Sequence, residues 1–184
     1  MREHWRLMAV IAALAALAIA FVTFSLRRPT PLSYEPTARA VATTDSMGRS
    51  VLRATIDASA ENRWRFFSLA RGELLDAPGP LDWDLAFRRF HIATNGGPGF
   101  AGAGAAGIEG NGRPAELRQT NQDTTESGFG KWYEYGFTSH LLTPKPLAYR
   151  VHAADGVAYQ LRIVSYYCPG ASPGCVTIEY SRVR

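Results

Sequence analysis

The sequence predicts an all-β domain preceded by a single transmembrane helix. Two observations carry this prediction. The stretch from Leu7 to Leu26 contains 20 residues without a charge, and a helix of that length, at about 1.5 Å per residue, matches the roughly 30 Å hydrocarbon core of a bilayer. After residue 46, short segments rich in aromatic and β-branched residues alternate with turn residues, and none keeps a 3.6-residue apolar period over three turns.

The apolar stretch at residues 7–26 is expected to stay in the membrane as an uncleaved anchor. A secretory signal peptide is the main alternative, but its apolar core spans only about 7–15 residues. The short flank at residues 1–6 carries Arg2 and Arg6, and Arg27 and Arg28 follow the stretch. Since the positive charges on the two sides nearly balance, they do not decide the orientation.

Small residues form a stripe along the predicted helix. Their spacing of four, three and four positions places them on one side: Ala9, Ala13, Ala16 and Ala20. Small residues let helix backbones approach closely in lipid, where no hydrophobic force drives association. The stripe therefore predicts a packed partner helix, and a general abundance of alanine in the chain is the alternative.

Residues 47–184 are predicted to form the β-domain. Residues 27–46 contain three prolines and little hydrophobic periodicity, which predicts a linker between helix and domain. Asp155 and Gly156 give a type I′ hairpin signal. The expected strands are 51–57, 63–69, 83–93, 131–137, 147–153, 157–167 and 176–183.

A glycine-rich segment at residues 94–130 is predicted to be a long loop. Its residues 102–107, GAGAAG, match the GxGxxG pattern, but a dinucleotide site would need a helix directly afterwards. Gly110, Gly112 and Pro114 follow instead, and they cannot begin a stable helix. The pattern is therefore interpreted as a surface loop.

The only two cysteines, Cys168 and Cys175, flank a segment with a Pro-Gly pair near each end. This arrangement predicts a disulfide across a hairpin tip, and such bonds belong to oxidising compartments. The alternative, a metal-binding thiolate pair, lacks a nearby histidine or further cysteines at ligand spacing. The soluble part is therefore expected outside the cytoplasm.

Composition and motifs argue against nucleic-acid binding and catalysis. The net charge is only +4, and the basic residues are scattered rather than arranged in a stripe. The chain contains no GxSxG, HExxH or phosphate-binding loop. Asp82 and Asp84 would share one face of a strand and could serve acid–base chemistry, but ion pairs with Arg88 and Arg89 are the simpler interpretation.

Three blocks of the sequence resemble HmuY-like domains. These blocks are DAS at 57–59 with WRFFSL at 64–69 and Gly72, DWDLAFRRF at 82–90 with TNGG at 94–97, and AYQLRIVSYY at 158–167 with TIEY at 177–180. The likeness covers residues 50 to 182 and implies an all-β extracytoplasmic domain of antiparallel sheets. The family's named member captures haem through histidines, but those ligands are not part of the shared motif. The chain also departs from that member by keeping a transmembrane helix where a lipid anchor is expected.

Histidines and aromatic residues supply the candidate binding groups. His91, His140 and His152 are the candidate haem ligands, and in ideal alternation His91 shares a face with Trp83, Leu85 and Phe87, which suits either a porphyrin wall or a core. No CxxCH motif for covalent haem is present. A second aromatic group would form an interaction surface or part of the core: Trp132, Tyr133, Tyr135 and Phe137.

The favoured hypothesis is a non-catalytic accessory subunit of a bacterial membrane complex, either respiratory or photosynthetic. In this hypothesis the chain crosses the inner membrane once, its C-terminal domain lies in the periplasm, and that domain caps the extracytoplasmic face of the complex. The expected partners are other subunits and the lipid bilayer, and no cofactor is expected. The alternative is a membrane-tethered protein that binds haem or another small ligand.

Overall fold

The computed structural model describes residues 2–26, 29–79, 82–95, 107–112, 118–119, 129 and 131–183. These residues divide into two compact units. One unit contains Met1–Thr30 and Tyr135–Leu141, and the other contains Pro31–Glu134 and Leu142–Arg184. Apart from one helix and one short 3-10 turn, the regular structure in the described residues is β, as the sequence predicts.

The N-terminal helix, α1, spans Arg2–Leu26. Its segment His4–Thr23 has a mean hydropathy of 2.3, and none of it is buried. The helix is therefore long and apolar enough to cross a membrane. A signal sequence near the N-terminus shares both properties.

The longest of the described strands are the two of the C-terminal hairpin, with 11 residues each. In chain order the strands are β1 Val41–Thr44, β2 Ser50–Asp57, β3 Arg65–Ser68, β4 Glu73–Leu75, β5 Leu85–Arg88, β6 His91–Thr94, β7 Gly107–Gly112, β8 Arg118–Gln119, β9 Tyr133–Tyr135, β10 Leu142–Pro144, β11 Ala148–His152, β12 Ala158–Cys168 and β13 Ser172–Arg182.

The strands form three sheets, in which each described pairing is antiparallel. The large sheet has the order β1-β2-β13-β12-β11-β7-β8, and a four-stranded sheet has the order β4-β3-β5-β6. β9 and β10 form a two-stranded sheet. The C-terminal strand β13 therefore lies between β2 and β12, near the centre of the large sheet.

The hydrophobic core lies between the large sheet and the four-stranded sheet. Phe67 of β3 and Tyr180 of β13 meet edge to face with ring centroids 6.0 Å apart, and both are almost fully buried. Ile56, Leu161 and Ile178 of the large sheet are fully buried as well. The alternation of buried and half-buried residues along the first half of β12 is typical of a strand with one face on a core.

A buried carboxylate joins the two sheets. Asp84 precedes β5 and accepts hydrogen bonds from the N–H of Leu69, at 2.6 Å, and from the N–H of Ala154 in the β11–β12 turn, at 2.7 Å. Burial raises the pKa of Asp84, because desolvation disfavours the charged form. The expected pairing of Asp82 and Asp84 on one face is therefore wrong, since Asp82 is exposed and lies 3.5 Å from Arg71.

The segment expected to be a linker belongs largely to the β-domain. Thr37 donates its N–H to Thr55 of β2 at 2.9 Å, and Ala40 donates its N–H to Gly72 at 2.6 Å. Leu74 of β4 in turn donates to Ala38 at 3.1 Å. The extended backbone that prolines favour is suited to pairing along a sheet edge. The expected boundary at residue 46 is thus too late, because the chain joins the domain from Pro31 onward.

The segment expected to be one strand at 83–93 is a hairpin of β5 and β6. The chain reverses at Arg89, whose φ is 53°. No glycine, asparagine or proline marks this reversal. Contacts with the connection after β2 hold it instead, because the Arg89 N–H donates to Ala58 at 2.7 Å and its guanidinium donates to the carbonyl of Ser59 at 3.2 Å.

Two other turns and loops also differ from the sequence prediction. At the β11–β12 hairpin only Gly156 has a positive φ, 80°, and its N–H donates to Ala153 at 2.9 Å, so Asp155 does not adopt the type I′ conformation. Within the expected loop 94–130, β7 begins at Gly107 and pairs with β11. A strand therefore occupies the place where a dinucleotide site needs a helix, while residues 102–106 lie outside the described part of the chain.

Candidate functional site: an aromatic patch at the β5–β6 turn

The predicted disulfide is confirmed. Cys168 and Cys175 are bonded, with their Cα atoms 4.8 Å apart at the tip of the β12–β13 hairpin. Closing this short loop stabilises the fold by about 2.5 kcal/mol in the chain-entropy model. Gly174 packs so closely on Ser59 that an added Cβ would lie 2.7 Å from its Cα, so the disulfide-closed tip is fixed against the connection that also holds Arg89.

Aromatic side chains gather where the β5–β6 hairpin turns. The Phe90 ring lies 4.4 Å from the His91 ring, with an angle of 36° between their planes, and 5.7 Å from the Tyr133 ring at the start of β9. Trp132 donates its indole Nε1–H to the carbonyl of Phe90 at 2.8 Å. This hydrogen bond fixes the turn to the start of β9.

Three of these side chains face solvent and are called the Phe90 patch: Phe90, His91 and Tyr133. Phe90 is 37% exposed, His91 is exposed and Tyr133 is half-buried. The ammonium of Lys131 lies 5.9 Å from the centre of the Tyr133 ring. The patch therefore combines aromatic surface, one imidazole and one nearby cation.

The patch rests on a buried aromatic base. Trp132 is only 2% exposed, and its ring lies 6.0 Å from that of Tyr166, which in turn lies 5.6 Å from that of Tyr167. Burial raises the pKa of Tyr166, so its phenol stays neutral at physiological pH. A packed base of this kind lets the exposed rings bind a ligand without first becoming ordered.

The patch can stack a flat apolar ligand and offer it one imidazole nitrogen. In the part of the chain that the structure describes, no group of three or more His, Cys, Asp or Glu residues could hold a metal ion. His91 is the residue of the patch whose side chain could bind a metal carried by the ligand itself. The expected common face of His91 with Leu85 and Phe87 is wrong, because His91 pairs with Arg88 across the hairpin and so lies on the opposite face of the sheet.

The three candidate haem ligands occupy separate places. His91 begins β6 at the turn, whereas His152 ends β11, two residues before Ala154, which binds Asp84 at the opposite end of β5. His91 therefore lies in the four-stranded sheet and His152 in the large sheet. His140 belongs to the other compact unit, where its Nδ1 lies 2.5 Å from the Tyr135 hydroxyl.

The predicted aromatic surface is divided by the structure. Trp132 is buried in the domain, so its ring cannot contact another protein directly. Its indole N–H donates to the carbonyl of Phe90, because a buried indole needs a hydrogen-bond acceptor. Tyr133 belongs to the Phe90 patch. Tyr135 and Phe137, which are 50% and 82% exposed, lie in the other compact unit. Sequence reasoning missed Phe90, which it placed inside a strand.

A separate cleft on the large sheet is polar and small. Its cavity volume is about 20 Å³, far below the roughly 300–1,000 Å³ of ligand pockets. Two ion pairs lie along it, Arg53 with Glu179 at 2.6 Å and Arg49 with Asp45 at 2.7 Å. Hydrogen bonds from Arg49 lower the pKa of Asp45, so that carboxylate stays charged. In each pair the arginine and the carboxylate neutralise each other. We therefore assign no ligand to the cleft.

Together these features define an all-β domain of antiparallel sheets that carries a disulfide-closed hairpin and follows an apolar helix. No protein-family model matches the sequence, and a search of curated proteins finds no match. Among solved structures, a Bacteroides vulgatus protein described as an HmuY-like candidate for haem binding is 17% identical, with a TM-score of 0.52 over 78% of this chain and 97% of its own.

A second solved structure leads to the same fold. A Bacteroides fragilis protein described as a candidate lipoprotein is 17% identical, with a TM-score of 0.54 over 77% of this chain and 93% of its own. The β-domain therefore has the HmuY-like fold that the sequence resemblance implies. At 17% identity these comparisons establish the fold of the domain.

Proposed function

We propose that the chain is a non-catalytic, membrane-anchored binding protein whose extracytoplasmic β-domain holds a flat apolar ligand on the Phe90 patch. The observation that carries this proposal is the pairing of the His91 imidazole with the exposed Phe90 ring above a buried tryptophan. The disulfide supports an oxidising compartment. Haem is the first ligand to test, because the Bacteroides vulgatus protein of the same fold is described as an HmuY-like candidate for haem binding.

The residues of the patch fit one face of a haem. His91 would hold the iron of a bound haem through an imidazole nitrogen. Phe90 and Tyr133 offer aromatic surface beside that imidazole, and Lys131 lies where it can meet a carboxylate. His91 is the one protein ligand that we propose for the iron.

A titration of the full chain in detergent with ferric haem tests this proposal. We expect a shift of the Soret band that saturates, that is lost in His91→Ala, and that needs about tenfold more haem in Phe90→Ala, because stacking on one aromatic ring contributes roughly 1 kcal/mol or more. His140→Ala is the matched control and should bind as the wild type does. Equal binding by the His91→Ala variant would contradict the proposal.

A second candidate function is supported by the alanine stripe of α1. Ala9, Ala13, Ala16 and Ala20 lie on an exposed helix surface, where a neighbouring membrane helix can approach closely. In this alternative the chain is an accessory subunit of a bacterial inner-membrane complex, with its β-domain on the periplasmic side. Binding of a small ligand and membership of a complex are compatible with each other.

Enlarging the stripe tests the second candidate. Ala13→Leu with Ala16→Leu should push helix backbones apart and release the chain from a complex while leaving membrane insertion intact. Ala12→Leu with Ala15→Leu is the matched control, since these positions lie off the stripe. Purification in mild detergent followed by mass spectrometry gives the readout, and identical co-purification of both variants would oppose an accessory role.

A further inference from the structure

A second exposed aromatic feature lies outside the Phe90 patch, at the end of the β9–β10 hairpin. We name residues 135–141 the hairpin tip. Phe137 is 82% exposed, the largest exposure of any large hydrophobic residue in the described part of the chain, and Tyr135 is 50% exposed. We propose that the hairpin tip inserts into the lipid headgroup layer of the membrane that α1 crosses.

Hydrogen bonds within the hairpin tip define its turn. Gly136 donates its N–H to the carbonyl of Leu141 at 2.8 Å, and His140 donates its N–H to the carbonyl of Gly136 at 2.7 Å. The Tyr135 hydroxyl and the His140 Nδ1 close the turn at 2.5 Å. A Cβ at position 136 would collide with the Ser139 hydroxyl. The turn therefore holds Phe137 outward at a cost that an apolar environment offsets.

The bilayer is the apolar environment that we propose for the Phe137 side chain. The tip and the residues of α1 belong to the same compact unit, Met1–Thr30 with Tyr135–Leu141. The helix segment His4–Thr23 is the part of the chain able to cross a bilayer.

The chemistry of the tip matches the headgroup layer better than a protein interface. Its sequence, YGFTSHL, holds aromatic rings and hydroxyl groups but no acidic or basic residue other than the histidine. Aromatic side chains with a polar end concentrate at membrane–water interfaces. The inference rests on membrane retention of α1 and not on ligand binding by the Phe90 patch.

A fluorophore placed at the tip tests the inference. Both cysteines are bonded, so Phe137→Cys gives a single labelling site for an environment-sensitive nitrobenzoxadiazole dye on the full chain. The labelled chain is placed in nanodiscs of phosphatidylcholine with phosphatidylglycerol, without any other protein. We expect blue-shifted emission and at least threefold stronger quenching by headgroup-level nitroxide lipid than at a control site. Asn62→Cys supplies that control, since residue 62 is exposed in the turn after β2.

The outcomes separate lipid from the other occupants. Equal quenching at positions 137 and 62 would overturn the inference, including the case in which the tip meets only a protein partner that the nanodisc lacks. Phe137→Cys replaces the aromatic ring itself, so a second label at Thr138→Cys keeps Phe137 in place and should show the same shift. Haem added to the same sample tests the Phe90 patch independently, because its Soret shift does not depend on the tip.

Discussion

At the scale of single residues, Asp84 contributes most to the connection between the sheets. Its carboxylate accepts two backbone N–H groups from elements that are far apart in sequence, Leu69 after β3 and Ala154 before β12. Removing such an acceptor leaves buried donors unpaired, at a cost of about 1–3 kcal/mol each. The buried carboxyl group of Asp84 therefore holds the two sheets together.

Replacing Asp84 by asparagine should change the pH dependence of stability. Because the folded-state pKa of Asp84 is raised above the unfolded-state value, its favourable contribution is complete below about pH 4 and is lost as the pH rises through the folded-state pKa. The amide that replaces the carboxyl group does not titrate. The stability of the wild type relative to Asp84→Asn should therefore be greatest near pH 4 and decline towards pH 7.

Thermal unfolding of the two proteins in detergent, followed by circular dichroism between pH 4 and pH 7, measures this difference. Asp82→Asn is the control, because Asp82 is exposed and should show no comparable trend. A relative stability that grows with rising pH would mean that the two N–H donors outweigh desolvation at Asp84.

At the scale of elements, the sequence pattern predicted strands correctly where nearby residues determine where a strand begins and ends. The alternation along residues 157–167 and the Asp155-Gly156 turn signal correctly located β12 and the hairpin that begins it. The break between β5 and β6 could not be predicted in this way, because Ala58 and Ser59, about 30 positions earlier, hold Arg89 at a positive φ. Tertiary contacts therefore override a continuous β pattern there.

The candidate site follows the same division between local and distant causes. His91 and Tyr133 could be identified from the sequence by residue type. Their meeting at Phe90 could not, since it depends on the turn at Arg89 and on the hydrogen bond from Trp132 to Phe90 across 42 positions. Patterning likewise described residues 27–46 as a linker, because edge pairing needs no hydrophobic periodicity.

At the scale of the whole molecule, the segment before β1 covers edges of both large and four-stranded sheets. Thr37 donates its N–H to Thr55, and its hydroxyl accepts the N–H of Thr55 at 3.1 Å, while Ala40 pairs with Gly72. Uncovered edges of this kind invite pairing with other chains. The segment thus acts as part of the fold as well as a connection to the helix.

Thr37→Pro should reduce the free energy of unfolding by about 2 kcal/mol, because it removes both the N–H donor and the hydroxyl acceptor. Thr30→Pro is the matched control, since Thr30 is exposed and precedes the domain. Thermal unfolding in detergent provides the measurement. Equal stability of the two variants would mean that the segment is not tightly held to β2.

The central position of β13 has a consequence for how the domain matures. Until residues 172–182 have been synthesised, β1 and β2 share no strand with β12, and the large sheet exists as two separate halves. A nascent chain that crosses a membrane from its N-terminus therefore cannot complete its fold before its last residues arrive. Contacts between distant parts of a chain also make folding slow. The strand order thus delays closure of the large sheet until residues 172–182 are available.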